Sequence, residues 1–249
     1  MPEITPSKYL VTAGWSDVPH LDERTKRELL DSTPPHLRAA RSEGKPSLGA
    51  GAIYPVEEES VIVDDFMIPS YWKRGYGMDV GWNRTAAVFG ALDPDNDILY
   101  VYGNHYRGQA EPAVHAAAVL ARGKWIKGAI DPAAKGRSQK DGEALFDQYK
   151  RLGLNLYPAI NGVEAGIYEV WTRLSTGRLK IFKSCTATLA EYRLYRRDEH
   201  GKIVKDFDHA MDAMRYLVAT MKYVMQNMPV PDHFQEQEVP DVLDPYVGY

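Results

Sequence analysis

Cysteine is nearly absent from this sequence of 249 residues, because Cys185 is the only one. A single cysteine excludes an internal disulfide, which fits a reducing compartment. The sequence also has no run of about 18 apolar residues, so no membrane span is expected. The N-terminal residues 1–8 lack the apolar core of a signal peptide, and secretion is therefore not expected.

Several catalytic signatures are missing as well. The sequence contains no CxxC, HExxH or Gly-x-Ser-x-Gly motif, so the usual patterns of a zinc site or a serine nucleophile do not apply. It also lacks the phosphate-binding loop Gly-x-x-x-x-Gly-Lys-Ser/Thr, and Gly44-Lys45-Pro46 fails that pattern because Pro46 replaces the hydroxyl residue. We therefore expect no ATPase activity from this chain.

An excess of positive charge is missing too, because the formal net charge is −4. This value counts mildly against a protein that binds nucleic acid. The segment 229–249, however, contains five acidic residues and no lysine or arginine, and is predicted to be a disordered tail. The rest of the chain is close to neutral, and a protein that binds nucleic acid can carry its basic residues on one face.

Apolar periodicity organises the chain from about residue 76 onward. It predicts six strands, at 76–81, 85–92, 98–106, 127–131, 154–157 and 179–182. It predicts five helices, at 111–122, 141–152, 164–175, 186–195 and 208–225. This order predicts an α/β fold whose mixed central sheet joins an antiparallel three-strand meander to parallel strands, with helices on both faces. We predict a lead-in over 1–71 and an organised domain over 72–228.

Asp79 lies in the middle of the first of these strands, within the apolar stretch Tyr76–Trp82. Burying a carboxylate there is costly unless something compensates its charge, and a metal ion would do so. The alternative is a partly exposed aspartate near a strand end. Gly77 and Gly81 lie close to Asp79 and permit the near approach of another backbone or of a ligand.

Asp131 ends the fourth predicted strand. Carboxylates at such strand ends point into the crevice where α/β sheets usually bind ligands, although an ordinary Asp-Pro turn is the alternative. The loop that follows carries Lys135, Arg137 and Lys140. These three cations are candidates for binding DNA phosphates, and a solvated surface loop is the alternative.

The last predicted helix begins with two acids, Asp208 and Asp212, on one face. Like charges four residues apart repel each other, and a shared cation would reverse that effect. Asp208 has the alternative role of a helix N-cap, whereas Asp212 lies one turn into an apolar helix. His209 is a candidate to bind metal or orient water, and equally a surface or capping histidine.

Together the three acids Asp79, Asp131 and Asp212 predict a site for a hard cation. Mg²⁺ and Mn²⁺ prefer oxygen ligands and keep several bound waters. Two such ions about 3.5–4 Å apart can activate a water and stabilise the leaving oxygen in phosphodiester cleavage. Metal-dependent phosphodiester hydrolysis is therefore the chemistry that these residues favour.

The motifs, in their order and spacing, resemble the C-terminal nuclease domain of the large terminase subunit of tailed bacteriophages. The resemblance extends over about 76–219 and rests on residues 78–82, 130–132, 162–167 and 208–216. The earlier segment 14–21 resembles the one that joins the ATPase and nuclease halves of that subunit. This resemblance implies that the missing phosphate-binding loop belongs to an ATPase half that this chain does not contain.

The resemblance implies a ribonuclease-H-like fold in which Asp79, Asp131 and Asp212 bind two divalent ions, Mg²⁺ or Mn²⁺. It makes Asp208 a candidate fourth acid and His209 a secondary catalytic candidate. It also implies an endonuclease that cuts concatemeric viral DNA when packaging starts and ends. The implied partners are double-stranded DNA, the ATPase half, the small terminase subunit and the portal of the procapsid, in the cytoplasm of the infected host.

Two alternatives remain at this point. One is another ribonuclease-H-like nuclease, of the junction resolvase or transposase type. The other is a docking module that binds the portal or DNA without cutting it. A predicted hairpin turn at 197–202 adds further candidates for DNA binding, namely Arg193, Arg196, Arg197 and Lys202.

Overall fold

The structure, a computed structural model, describes residues 3–5, 8–9, 14–18, 20–32, 42, 51–135, 144–198 and 200–229. The strands within these ranges are β1 (Glu3–Thr5), β2 (Lys8–Tyr9), β3 (Ile62–Val63), β4 (Lys73–Asp79), β5 (Thr85–Asp93), β6 (Ile98–Arg107), β7 (Lys127–Ile130), β8 (Asn155–Pro158) and β9 (Leu179–Phe182). The α-helices are α1 (Glu23–Ser32), α2 (Glu58–Val61), α3 (Pro112–Leu120), α4 (Leu145–Arg151), α5 (Val163–Ser175), α6 (Thr186–Leu194) and α7 (His209–Val224).

Seven strands form the central sheet, in the order β3-β9-β6-β5-β4-β7-β8. The strands β4, β5 and β6 make an antiparallel meander, and every other neighbouring pair in this sheet is parallel. The predicted α/β class and the mixed sheet are thus confirmed. Among the described residues, none of the helices combines the length and the apolar character that a membrane span requires.

Helices cover both faces of the sheet, as predicted, because the central strands bury side chains on both sides. Ala86 and Val88 of β5 belong to one buried cluster, together with side chains of α5, α6 and α7. Ala87 and Phe89 belong to the other cluster, together with side chains of α3 and α4. Successive residues of a strand point to opposite faces, so a strand covered on both sides is apolar throughout.

One strand of the sheet was not predicted. The edge strand β3 pairs in parallel with β9, through Ile62 opposite Ile181 and Val63 opposite Phe182. It belongs to the region that we interpreted as a lead-in, and nearby Tyr54 and Val61 are also buried in the core. A strand of two residues has no periodicity to detect, and its partner lies more than a hundred residues away. The domain boundaries at residues 71 and 228 stay predictions.

The observed helices agree closely with the predicted ones where the structure describes them. The predicted helix 141–152 is seen as α4, and its first three residues lie outside the described ranges. The last predicted helix, 208–225, is seen as α7. The predicted disordered tail, 229–249, lies outside the described ranges apart from residue 229, so its disorder stays a prediction.

Candidate active site

Asp79 and Asp131 lie side by side at the ends of two adjacent parallel strands. Met78 of β4 pairs with Ile130 of β7, and the backbone N–H of Asp131 donates to the carbonyl of Met78 at 3.0 Å. Tyr76 and Met78 face the cluster that contains α3 and α4. Strand alternation therefore turns Gly75, Gly77 and Asp79 toward the opposite face, which α7 covers.

Gly77 lets α7 lie directly on β4. A Cβ atom at this position would come within 1.9 Å of the carbonyl oxygen of Ala213 and 2.7 Å of the backbone nitrogen of Leu217. Only a residue without a side chain allows this approach. The sequence suggested such an approach at Gly77, and the approaching backbone is that of α7. As a result, Asp212 in the first turn of α7 is brought to the end of β4.

Tyr216, one turn further along α7, lies near all three acids. Burial raises the pKa of its phenol, and the negative charges of Asp131, Asp212 and Asp79 raise it further. The structure therefore brings together the three acids that the sequence singled out, from β4, from the end of β7 and from α7. Their assignment as catalytic residues and metal ligands stays a prediction.

His209 contacts Asp79. Its Nδ1 lies 2.8 Å from Oδ2 of Asp79. Burial raises the pKa of Asp79, the hydrogen bond with His209 lowers it, and the nearby charges of Asp212 and Asp131 raise it, with a net shift upward. The same hydrogen bond with Asp79 raises the pKa of His209. His209 is therefore part of the acidic cluster and not a simple surface histidine.

Arg215 holds one oxygen of Asp212. Its Nη2 and Nε donate to Oδ1 of Asp212 at 3.0 and 3.3 Å, and its Nη1 donates to Oδ1 of Asn161 at 3.1 Å. The arginine is buried, with 2% of its surface exposed. Gly166 of α5 makes room for it, since a Cβ there would lie 2.7 Å from Cγ of Arg215. Asp212 consequently has a single orientation, with Oδ2 free of Arg215.

Asp208 precedes α7 but does not cap it with its side chain. The carboxylate is buried, and Nζ of Lys205 lies 2.8 Å from its Oδ2 and 3.1 Å from Oδ2 of Asp212. Oδ2 of Asp208 has no hydrogen-bond partner among the described residues, so the contact with Lys205 is an ion pair without hydrogen-bond alignment. Asp208 thus occupies the N-cap position, as its alternative role predicted, but without a capping hydrogen bond from its side chain. The cation that Asp208 and Asp212 share in this structure is Lys205.

Glu191 supplies the cap that Asp208 does not. Its Oε2 accepts the backbone N–H of Ala210 at 2.5 Å, and its Oε1 accepts the hydroxyl of Tyr106. A buried carboxylate at the start of a helix satisfies a free N–H and interacts well with the helix dipole. Sequence reasoning missed Glu191. The signal in the sequence was an acid directly before Tyr192 and two positions after Leu189, both of which are buried with it on α6.

The residues present fit a divalent cation, although their present contacts are with side-chain cations. Among the described residues, no group of three His, Cys, Asp or Glu side chains is arranged to hold a metal ion as it stands. The donors are nevertheless oxygens of Asp79, Asp131, Asp208 and Asp212, which hard cations prefer. Asp79, Asp208 and Asp212 are buried, and burial raises the pKa of Asp79 because it penalises the charged form, which a bound cation would stabilise.

The residues predicted to bind DNA fall into two groups. Lys135 ends a short 3-10 helix after β7, and its side chain, like all of Arg137 and Lys140, lies outside what the structure describes. In the second group, Arg193 pairs with Glu58, and Arg197 pairs with Glu164 at 2.6 Å. Arg196 and Lys202 are exposed. The DNA-binding role of both groups stays a prediction.

Known proteins resemble this chain over the whole of the site. The family described as the terminase RNaseH-like domain matches residues 76–220. The large terminase subunit of Salmonella phage P22 is 31% identical, over 96% of this chain and 49% of that protein. The chain therefore spans about half the length of the curated relatives it matches.

Solved structures show the same similarity. The nuclease domain of the P22 large terminase has a TM-score of 0.66 at 30% identity, and the match covers 73% of this chain and 97% of that one. The large terminase nuclease domain of bacteriophage SPP1, solved with bound Mn, has a TM-score of 0.51 at 17% identity, with 67% and 98% covered. The second likeness concerns the fold alone.

Proposed function

The chain belongs to the terminase RNaseH-like domain family, and on that basis we propose that it is a divalent-metal-dependent DNA endonuclease of a viral packaging terminase. The observation that carries the proposal is the convergence of Asp79, Asp131 and Asp212 at one end of the sheet. Membership in the family alone would leave the chemistry open, because one fold hosts many activities. The cluster of acids, of which Asp79 and Asp212 are buried, supports phosphodiester hydrolysis in particular.

Asp79, Asp131 and Asp212 are the residues that would hold the metal, with Asp208 as a fourth acid. Bound in a pair, Mg²⁺ or Mn²⁺ ions supply an activated water and stabilisation of the leaving oxygen. The relative from SPP1, whose structure contains Mn, supports a divalent ion, and the all-oxygen donor set supports a hard one.

The neighbouring side chains orient these acids. Arg215 fixes the rotation of Asp212 through its Oδ1, and His209 does the same for Asp79 through its Oδ2. The backbone N–H of Ala133 donates to Oδ1 of Asp131 at 3.0 Å. Each of the three acids thus has at least one oxygen bound by the protein, which is how supporting contacts orient ligands in metal sites.

The proposed role of the whole protein goes beyond this chain. Because the curated relatives are large terminase subunits about twice as long, we propose that the chain works beside an ATPase half and cuts concatemeric DNA at the start and end of packaging. The small terminase subunit and the portal of the procapsid would be its partners, in the cytoplasm of the infected host. No ATP hydrolysis is expected from this chain itself.

The first test is metal-dependent cleavage of supercoiled plasmid, with Mn²⁺, Mg²⁺ or EDTA. Asp79→Asn and Asp212→Asn are expected to abolish nicking and linearisation, because each removes a metal-binding charge while keeping the size of the side chain. Asp95→Asn is the matched control, since Asp95 is exposed in the turn at the far end of β5 and β6.

Titration of Mn²⁺ by calorimetry accompanies the cleavage assay. The wild type and Asp95→Asn are expected to bind the ion, and Asp79→Asn to bind it at least tenfold more weakly. A wild type that binds no metal and cuts no DNA would point to a docking module and contradict the proposal. Strong preference for branched over linear DNA would favour a nuclease of the resolvase type.

A further inference from the structure

Lys205 is the only side-chain cation among the described residues that contacts both acids near the start of α7. Its Nζ lies 2.8 Å from Oδ2 of Asp208 and 3.1 Å from Oδ2 of Asp212. Both carboxylates are mostly buried, with 7% and 12% of their side chains exposed. An ammonium between two such carboxylates neutralises a repulsion that would otherwise oppose the formation of this helix turn.

The oxygen of Asp212 that Lys205 contacts is the one that a metal ion would need. Oδ1 of Asp212 already accepts two N–H groups of the buried Arg215. Arg215 is buried, with 2% of its surface exposed, and it also donates to Asn161, so it is held in place against Oδ1 of Asp212. Oδ2 is therefore the oxygen of Asp212 available to a metal, and Lys205 and the metal would compete for the same atom.

The side chain of Lys205 is exposed enough to move away from the two carboxylates. Its side chain is 65% exposed, whereas that of Arg215 is 2% exposed. It lies in the short segment between the hairpin at 197–203 and α7, outside any helix or strand. A long lysine side chain can move its charged end into water at little cost. Among the described contacts, His209 pairs with Asp79 and not with Asp208 or Asp212.

We infer that Lys205 is an internal counter-cation, which occupies a metal position between Asp208 and Asp212 and which a divalent ion must displace in order to bind there. The inference rests on the proposed metal-dependent function. Lys205 stabilises the acidic cluster while no metal is bound, and it lowers the affinity of the cluster for metal, because binding includes the loss of the two ion pairs.

Calorimetric titration with Mn²⁺ tests this inference, on the whole chain and with EDTA-treated protein. Lys205→Met removes the charge and keeps most of the side-chain length. It is expected to bind Mn²⁺ roughly threefold to tenfold more tightly than the wild type, as the loss of a partly exposed competing ion pair allows. Lys202→Met is the control, because Lys202 is exposed, lies three residues away and changes the net charge equally.

Thermal unfolding gives a second measurement that does not depend on activity. In EDTA, Lys205→Met is expected to melt at a lower temperature than Lys202→Met, because two mostly buried carboxylates have lost their cation. In saturating Mn²⁺ the difference in melting temperature is expected to disappear. The metal ion then compensates Asp208 and Asp212 in both variants, whether Lys205 is absent or displaced.

The outcomes separate this inference from the proposed function. If the wild type binds Mn²⁺ and Asp79→Asn does not, but Lys205→Met binds no more tightly than Lys202→Met, the metal site stands and the counter-cation is refuted. Weaker binding by Lys205→Met would also refute it, because the lysine would then help to hold the bound state. Failure of all these proteins to bind Mn²⁺ would overturn both proposals together.

Discussion

Asp212 shows how a single buried residue of the site is controlled by its partners. One of its oxygens is bound by Arg215 inside the protein and the other by Lys205 near the surface. A buried carboxylate is tolerated only when its charge is compensated, and here the compensation is divided between a permanent partner and an exchangeable one. The division explains how the acid can be both rigidly held and available to a cation.

Arg215→Met is expected to lower the free energy of unfolding by about 3–5 kcal/mol, because it leaves Asp212 buried with its inner oxygen unpaired. Urea denaturation of the metal-free protein measures the change. Adding Asp212→Asn to this variant is expected to recover part of the loss, since the uncompensated charge is then gone.

Arg178→Met is the matched control for this substitution. Arg178 pairs with Asp97 at 3.0 Å, but both side chains are about half exposed and Asp97 keeps a second partner, Arg173. The expected effect is below about 1 kcal/mol. Equal losses for Arg215→Met and Arg178→Met would show that the buried pair does not hold Asp212.

At the scale of elements, the contact between β4 and α7 assembles the site. Asp79 is at the end of the strand and Asp212 is in the first turn of the helix, so their separation depends on how closely the two backbones approach. Gly77 sets that distance through its contact with Ala213 and Leu217. The cap that Glu191 provides then holds the beginning of α7 in place.

Gly77→Ala is therefore expected to destabilise the protein by at least about 3 kcal/mol, toward the upper end of what overpacking costs, because the added methyl group meets backbone atoms that cannot rotate away. The displaced helix would also weaken Mn²⁺ binding. Urea denaturation and calorimetric titration measure the two effects.

Gly162→Ala provides the comparison for this prediction. A Cβ at Gly162 would have its nearest contact with Ala165, at an ordinary distance of 3.6 Å, and the backbone φ of −71° is accessible to alanine. A change of less than about 1 kcal/mol is expected. If Gly77→Ala were equally mild, α7 would not depend on this close approach to β4.

At the scale of the whole molecule, a chain with a net charge of −4 must bind a polyanion through a local basic surface. Arg193 and Arg197 are engaged by Glu58 and Glu164, which reduces the positive charge that they present. The loop after β7, which starts beside Asp131, therefore becomes the more favoured place for DNA phosphates. Its residues Lys135 and Arg137 are the ones to test.

Replacing Lys135 and Arg137 together by alanine is expected to weaken DNA binding at low salt and to make the dependence of log K on log salt less steep by roughly 1 to 2, since fewer counterions are released. Fluorescence anisotropy with a labelled duplex at several salt concentrations measures the slope. The pair Arg178→Ala and Lys222→Ala removes the same charge at the opposite end of the sheet and should leave the slope unchanged. An unchanged slope in the loop variant would refute its role.

The sequence alone determined most of the secondary structure, the mixed character of the sheet and the three acids of the cluster. Strand and helix periodicities are local signals, and a carboxylate within an apolar stretch such as Met78–Val80 stands out without any knowledge of its neighbours. The spacing of Asp208 and Asp212 likewise indicated that a shared cation would relieve their repulsion.

Only the tertiary structure decided which groups compensate those acids. Lys205, Arg215 and Glu191 act on the cluster through contacts that depend on side-chain direction and on helix packing, and their local sequences carry only weak signals of burial. The edge strand β3 could not be predicted from the sequence either, because its pairing with β9 joins segments far apart in the chain. Local patterns specify elements, whereas the partners of a buried charge are chosen by the packing of those elements in three dimensions.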